Sequence, residues 1–275
     1  MGTMKYYKFR SVKSDDLSND HALDALFNYY AIFSGRKNFN DVFDSKIYFE
    51  RPTLEQTLFE ISYNNIQDIY ANEASRWILN GQFTPRFTMF MDKSESALND
   101  MIDTYAIYSL SKHNKCNLLW AHYALKHTGF CIELEFSGIQ PSEVRYQNHI
   151  GSIPMLDCFV KNNLHLGGKI LMDQLLVKLN CWTYEGECRW IASEQLGKIQ
   201  KGQKFIQIPY DSAHIKVTAV IFGCRMPSCV KNFIRKYLPY KTEFQQAVER
   251  KDYIEIVPFD ERVHLETQCS HCVEK

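Results

Sequence analysis

Apolar and polar residues alternate along F-C-I-E-L-E-F, residues 130 to 136, and a period of two predicts a strand. Further strands are expected at residues 5–12, 29–34 and 107–110, along I-K-V-T-A-V-I-F-G (215 to 223), and along Y-I-E-I-V-P-F (253 to 259), which closes the sheet. Spacings of three and four predict helices instead. Leu54, Leu58 and Ile61, then Ile66, Ile69 and Tyr70, mark a largely helical segment from 53 to 101. Shorter helices are expected at 21–28, where Asp15, Asp16 and Ser18 offer caps, and at 117–126, with Gly129 as left-handed stop. Two more are expected at 164–180 and from Pro227-Ser228 to about Tyr237. Strands and helices mix without strict alternation. The expectation is an α+β fold: one domain over 1–275, a single mixed sheet with flanking helices, and a mainly helical insertion at about 53–101.

One stretch breaks the ordinary pattern. W-T-Y-E-G-E-C-R-W, residues 182 to 190, read as a strand, puts Trp182, Tyr184, Cys188 and Trp190 on one side. Thr183, Glu185, Glu187 and Arg189 fall on the other. The aromatic side must face the core, so the charged side faces solvent or a cleft. A solvated sheet face accounts for it at little energetic cost. A cleft gives it chemistry, because like charges about 7 Å apart on a strand raise one carboxyl pKa toward acid/base use.

Two other segments supply candidate partners. In S-G-R-K-N-F-N-D-V-F-D, residues 34 to 44, the turn formers leave Asn40, Asp41 and Asp44 for a pocket wall, with Phe39 and Phe43 anchoring the loop. In N-L-L-W-A-H-Y-A-L-K-H-T-G, residues 117 to 129, Leu119, Trp120 and Tyr123 share a helical stripe. His122 and His127 diverge by roughly 140° around such a helix and make a poor ligand pair. A lone C-S-H-C, Cys269 to Cys272, is weak evidence for a metal.

Composition narrows the setting. Lys+Arg and Asp+Glu balance at 32 each, so no bulk field draws the chain to nucleic acid or to an anionic membrane. No apolar run approaches the roughly 18 to 20 residues that span a bilayer. The N-terminal ten residues lack a signal peptide's apolar core, and nine cysteines without framework spacing read as reduced thiols. The expected location is cytoplasmic.

Several stretches together resemble an uncharacterised bacterial family, catalogued as domain of unknown function 2971. They are Y-K-F-R (7 to 10), I-F-S-G-R-K-N-F-N-D-V-F-D (32 to 44), L-L-W-A-H-Y-A-L-K-H-T-G-F-C-I-E-L (118 to 134), V-R-Y (144 to 146), K-L-N-C-W-T-Y-E-G-E-C-R-W-I (178 to 191) and V-I-F-G-C-R (220 to 225). The family usually carries Pro where this chain has Val42, and membership assigns no activity. The chain is also similar, more distantly, to ADP-ribosyltransferases of the Arg–Ser–Glu type: Arg10 on a first strand, Ser34 ending a second, Glu185-Gly186-Glu187 on a late one. The Ser-Thr-Ser signature of that type is absent.

That second likeness implies an NAD-using transferase or glycohydrolase, of the kind deployed as a toxin or anti-phage effector, acting on an unknown macromolecular acceptor. It casts Glu187 as the catalytic carboxylate, Glu185 as orienting the acceptor and Arg10 as binding the pyrophosphate. Ser34 braces the pocket, while Tyr7 or Trp120 stacks on a ring of the nucleotide. Asn40, Asp41, His122, Tyr123 and Arg189 complete the candidate ligand-binding set; no metal ligand is assigned. Two rivals use the same residues. One is a non-catalytic ligand- or partner-binding sensor, and the other a metal-dependent nuclease built on Asp41, Asp44, Glu185 and Glu187.

Overall fold

The computed structural model describes residues 4–62, 74–158, 164–192 and 195–265. In chain order its strands are β1 (Lys5–Arg10), β2 (Tyr30–Ser34), β3 (Tyr48–Glu50), β4 (Ile78–Leu79), β5 (Gln82–Phe83) and β6 (Ile107–Ser111). They continue as β7 (Phe130–Phe136), β8 (Ser142–Glu143), β9 (Arg145–Gln147), β10 (Ser152–Pro154) and β11 (Val177–Leu179). The last five are β12 (Glu187–Ile191), β13 (Phe205–Pro209), β14 (Ile215–Phe222), β15 (Glu243–Glu249) and β16 (Ile254–Pro258). Ten of them form one mixed sheet in the order β13-β2-β6-β1-β7-β14-β15-β16, with β12 paired to β6 and β8 paired to β12. Only β14 and β15 run parallel within it. Helices flank this sheet, so the class is α+β, as the pattern of the chain predicts.

The sheet is split, and β6 is where it divides. Along one side β6 pairs with β12 through its whole length, from Ile107–Ile191 to Ser111–Glu187. Along the other side it meets β1 only at Tyr7–Ser111 and β2 only at Ser34–Ile107. β1 instead spends its hydrogen bonds on β7, six residues long, and β2 pairs with β13 over five. Between these two contacts the strands diverge and leave a gap at the middle of β6. Backbone groups around such a gap need other partners; the Ser109 carbonyl accepts from Lys8 Nζ at 2.7 Å.

Apolar burial holds the halves together. Tyr6, Phe33, Tyr108, Leu134, Trp190 and Phe222 share one buried cluster, with the Phe33 ring 5.0 Å from that of Trp190. A second cluster packs Phe9 edge-on against Trp120 of the helix Asn117–Tyr123, at 5.0 Å. Burying side chains of this size contributes about 1.5–3 kcal/mol each.

Several local readings are corrected. W-T-Y-E-G is not strand: Asn180–Glu185 forms a 3-10 helix, Gly186 turns left-handed at φ 50°, and only β12 continues as strand. The expected 164–180 helix ends at Gln174, and Lys178 then lies on β11. The described part of the segment expected to be largely helical is mostly helix, Leu54–Ser62, Ala74–Trp77 and Pro85–Ile102, but the hairpin β4–β5 stands between the last two. Asn80 and Gly81 make its turn with φ of 49° and 72°, the Asn-Gly signature of a tight hairpin. Ile66, Ile69, Tyr70 and the Cys269–Cys272 motif lie outside the described residues.

The helix Asn117–Tyr123 also stops earlier than expected, and Gly129 is not its left-handed stop. Leu125, Lys126 and His127 take the positive φ values, 46°, 54° and 72°. Gly129 is there for space: a Cβ on it would lie 2.1 Å from the Arg10 carbonyl oxygen. The chain end of β1, carrying Arg10, is wedged directly against this turn.

Candidate functional site

The gap in the sheet is a cavity of about 290 Å³. Tyr7, Lys8 and Arg10 from β1, Ser34 from β2 and Ser109 and Ser111 from β6 line it. Asn40 and Asp44 come from the loop after β2, Tyr123 from the helix, Lys178 from β11, and Glu185 and Glu187 from either side of Gly186. The cavity is therefore assembled from six separate stretches of chain.

Its floor is a buried charge cluster. Lys178 Nζ lies 2.5 Å from Glu185 Oε2, 3.0 Å from Glu187 Oε2 and 3.3 Å from Asp44 Oδ2. Arg189 completes it from behind: Nε donates to Glu187 Oε1 at 2.8 Å, and Nη2 donates to both oxygens of Asp44 at 2.7 Å. Its remaining nitrogen, Nη1, donates to Ser45 Oγ and to the Leu175 carbonyl. Phe39 lies against the guanidinium, 5.2 Å from its carbon. The Tyr123 hydroxyl donates to Glu185 Oε1 at 2.5 Å and accepts from Asn40 Nδ2 at 3.3 Å. Three carboxylates thus face two cations, a net charge of −1 when all are ionised.

The cluster pushes its two glutamates apart. Burial alone would raise the Glu187 carboxyl, but Arg189 and Lys178 outweigh it and hold it at about 2. Glu185 sits above the ordinary carboxylate range, because burial exceeds the pull of Lys178 and of the Tyr123 hydrogen bond. Glu187 is a fixed anion, while the Glu185 carboxyl is the easier of the two to protonate. Lys178 keeps its proton: burial would lower it, and Glu187, Glu185 and Asp44 raise it above its ordinary value.

Lys8 is the opposite case. Burial, then repulsion from Arg10, push its ammonium down to about 7 despite the pull of Glu187 and Glu185. In the unfolded chain a lysine stays protonated to about 10.4, so between the two values folding releases a proton and stability rises with pH. Above about 9 the buried thiols, Cys188 among them at about 11, act the other way. The unfolding free energy is therefore expected to climb between pH 7 and 9, by no more than about 1.4 kcal/mol per unit, since solvent at the cavity mouth screens part of it. Urea titrations at three pH values check this, and Lys8→Met should flatten the slope.

The candidate residues divide. Tyr7, Arg10, Ser34, Asn40, Tyr123, Glu185 and Glu187 share the cavity wall. Trp120 does not: it is wholly buried, its indole N–H donates to the Asn114 carbonyl at 2.7 Å, and it has no face for a ligand ring. His122 is exposed on the outer side of its helix, near the rings of Tyr123 and Tyr184. Asp41 caps the loop by accepting from the Phe43 N–H at 3.0 Å and stays off the wall. Phe43 is exposed, so Phe39 alone of that pair anchors the loop. Arg189 is wholly buried behind Glu187 and positions carboxylates rather than meeting a ligand.

Lys8 and Lys178 were missed as site residues. Lys8 lies in Y-K-F-R two positions before Arg10, and its place on the same strand is the signal in the sequence. Lys178 was hidden by assigning its segment to a helix. The nuclease reading meets an obstacle here: the Lys178 ammonium occupies the point between Asp44, Glu185 and Glu187 where a cation would sit. Among the described residues no group of three or more His, Cys, Asp or Glu could hold a metal ion. Nor is any helix among them long and apolar enough to cross a membrane. No family model, curated protein or solved structure matches this chain, and the resemblances drawn from its motifs rest on those residues alone.

Proposed function

We propose that the split-sheet cavity takes NAD as a substrate and breaks its nicotinamide–ribose bond, the ribosyl group passing to water or to a macromolecular acceptor. The observation that carries this reading is the meeting of Arg10, Ser34, Glu185 and Glu187 around one cavity, from stretches up to 177 positions apart (Arg10 to Glu187). Arg10 meets the Tyr108 hydroxyl but no carboxylate among the described residues, lines the cavity and is the group to hold a phosphate. At about 290 Å³ the cavity is at the small end for ligand sites; it suits the nicotinamide–ribose half, with the adenylate half outside.

When that bond breaks, its electron pair leaves with nicotinamide and positive charge builds on the ribose. A fixed wall of negative charge in a site shielded from water stabilises such a centre. The two glutamates divide the work. Glu187, bound by both cations, anchors the wall, while Glu185, bound by Lys178 and the Tyr123 hydroxyl, faces the developing charge. Incubation with NAD and chromatography for free nicotinamide tests this. The wild-type chain should release it, and Glu187→Gln should fall to the background of a heat-denatured sample. Wild-type protein that stays at that background rules out the enzyme.

One observation favours a non-catalytic sensor instead. All four oxygens of Glu185 and Glu187 already accept hydrogen bonds, from Tyr123, Lys178 and Arg189. A site so satisfied can hold a ligand without reacting. Binding without turnover would appear as stabilisation of about 2.7 kcal/mol at a hundred times the dissociation constant, with no nicotinamide released.

A further inference from the structure

We propose that Lys8 is a nucleophilic amine that captures the aldehyde or ketone of a small phosphate-bearing ligand, forming an imine inside the cavity. The inference goes beyond nicotinamide release and does not depend on NAD being the substrate.

Two lysines line the same cavity in opposite surroundings. Lys178 is boxed in by three carboxylates, which keep it protonated and inert. Lys8 Nζ has a single hydrogen-bond partner among the described residues, the Ser109 carbonyl at 2.7 Å, and lies 4.8 Å from the centre of the Tyr108 ring. No carboxylate pairs with it at salt-bridge distance among those residues. The charged and titratable groups around it are Arg10, Glu187, Glu185, Cys131 and Tyr108, and the nearest in effect is the repelling Arg10. A lysine desolvated beside another cation is the arrangement that turns an ammonium into a nucleophile.

The same neighbour supplies recognition. Arg10 lines the cavity beside the Tyr108 hydroxyl, with no carboxylate partner among the described residues, and its remaining donors would seat the phosphate of the incoming carbonyl compound. The Lys8 lone pair then adds to the carbonyl carbon, and one N–H proton moves to the carbonyl oxygen. Loss of the second N–H proton expels that oxygen as water, leaving a C=N bond; nothing is oxidised or reduced. Glu185, on the same cavity wall and with its carboxyl raised by burial, is the cavity group suited to protonate the departing hydroxyl and to be reprotonated by the nitrogen.

Pyridoxal 5′-phosphate is a suitable probe, because it joins an aldehyde to a phosphate. The full chain is incubated with it at pH 7, reduced with sodium borohydride, digested, and mapped by mass spectrometry. At that pH about half of Lys8 is free amine, against about one in three thousand for an ordinary lysine; its lower basicity gives back part of the advantage. Lys8 should therefore be labelled at least about tenfold faster than exposed Lys37, and Lys178 should stay unlabelled. Pyridoxal without the phosphate should label Lys8 more slowly, and Arg10→Met should remove that difference. Labelling of Lys8 no faster than that of Lys37, or a Lys8 rate that keeps rising to pH 10, overturns the proposal. The comparison is made within the wild-type chain, so it survives any variant that fails to fold. Nicotinamide release, measured without aldehyde, fails or succeeds separately.

Discussion

Arg189→Met is expected to destabilise the fold by about 3–5 kcal/mol, the range for removing one member of a buried charge set. Arg189 is wholly buried and distributes its donors over Glu187, Asp44, Ser45 and the Leu175 carbonyl. Methionine fills much of the volume but leaves Asp44 with only Lys178 at 3.3 Å and its neighbour Ser45. Two carboxylates then repel each other in a poorly solvated place. Urea denaturation with a constant m-value measures the loss. The cause is testable by a cycle: Asp44→Asn in the Arg189→Met background should cost clearly less than in the wild type, because the charge it removes is already unpaired. A loss below about 1 kcal/mol, the range of exposed pairs, would mean that water reaches the cluster and that its carboxylates are not held as described.

How much of this arrangement was legible depends on distance along the chain. Glu185, Glu187 and Arg189 stand out as a charged run between Trp182 and Trp190, although a solvated sheet face would account for the same pattern and only Glu187 and Arg189 lie on a strand. Their partners do not stand out. Asp44 is 145 positions from Arg189, and no local period links them. Lys178 is only nine positions from Glu187, yet the apolar run Leu175-Leu176-Val177 lets the helix expected at 164–180 extend through it. Short apolar runs are ambiguous between helix and strand, and here the ambiguity concealed the ammonium that ties three carboxylates together.

The strands follow the same logic. β7 and β14 lie inside the sheet, nearly every position is buried, and their apolar runs are plain. β13, F-I-Q-I-P, and β15, E-F-Q-Q-A-V-E, are strands that the pattern of the chain does not predict. β13 is an edge strand with polar and exposed positions, and β15 runs parallel to β14 next to the sheet's other edge. Half-solvated strands carry little apolar signal. The hairpin at Asn80-Gly81 is different: its signal was present and the helical spacing around it overrode it. The split at β6 was invisible from sequence altogether. It arises from which strand each neighbour prefers, β7 for β1 and β13 for β2, and that choice is made across the whole sheet. Yet the split is what gives Arg10 and Glu187 a common cavity.

Glu185→Gln is expected to slow nicotinamide release by about 10²–10³-fold, the usual effect of removing one group that stabilises transition-state charge. The change takes the cluster from a net charge of −1 to zero while keeping its hydrogen-bonding shape. Lys178 retains Glu187 and Asp44, and an amide oxygen can still accept from Tyr123, so the fold should lose far less than with Arg189→Met. The loss should fall on kcat. Arg10→Met, by contrast, should act mainly through KM, because a phosphate contact is made in ground and transition states alike. The pH profile adds a check with a definite sign. The Glu185 carboxyl is raised by burial, so activity that needs its anion is lost as pH falls through a value above the ordinary carboxylate range. Glu187, held at about 2, cannot produce that limb, and the residual activity of Glu185→Gln should lack it. A Glu185→Gln variant that releases nicotinamide within about threefold of the wild-type rate, with the acid limb intact, would place the chemistry elsewhere. The net negative wall would then be a binding surface, and the sensor reading would stand in its place.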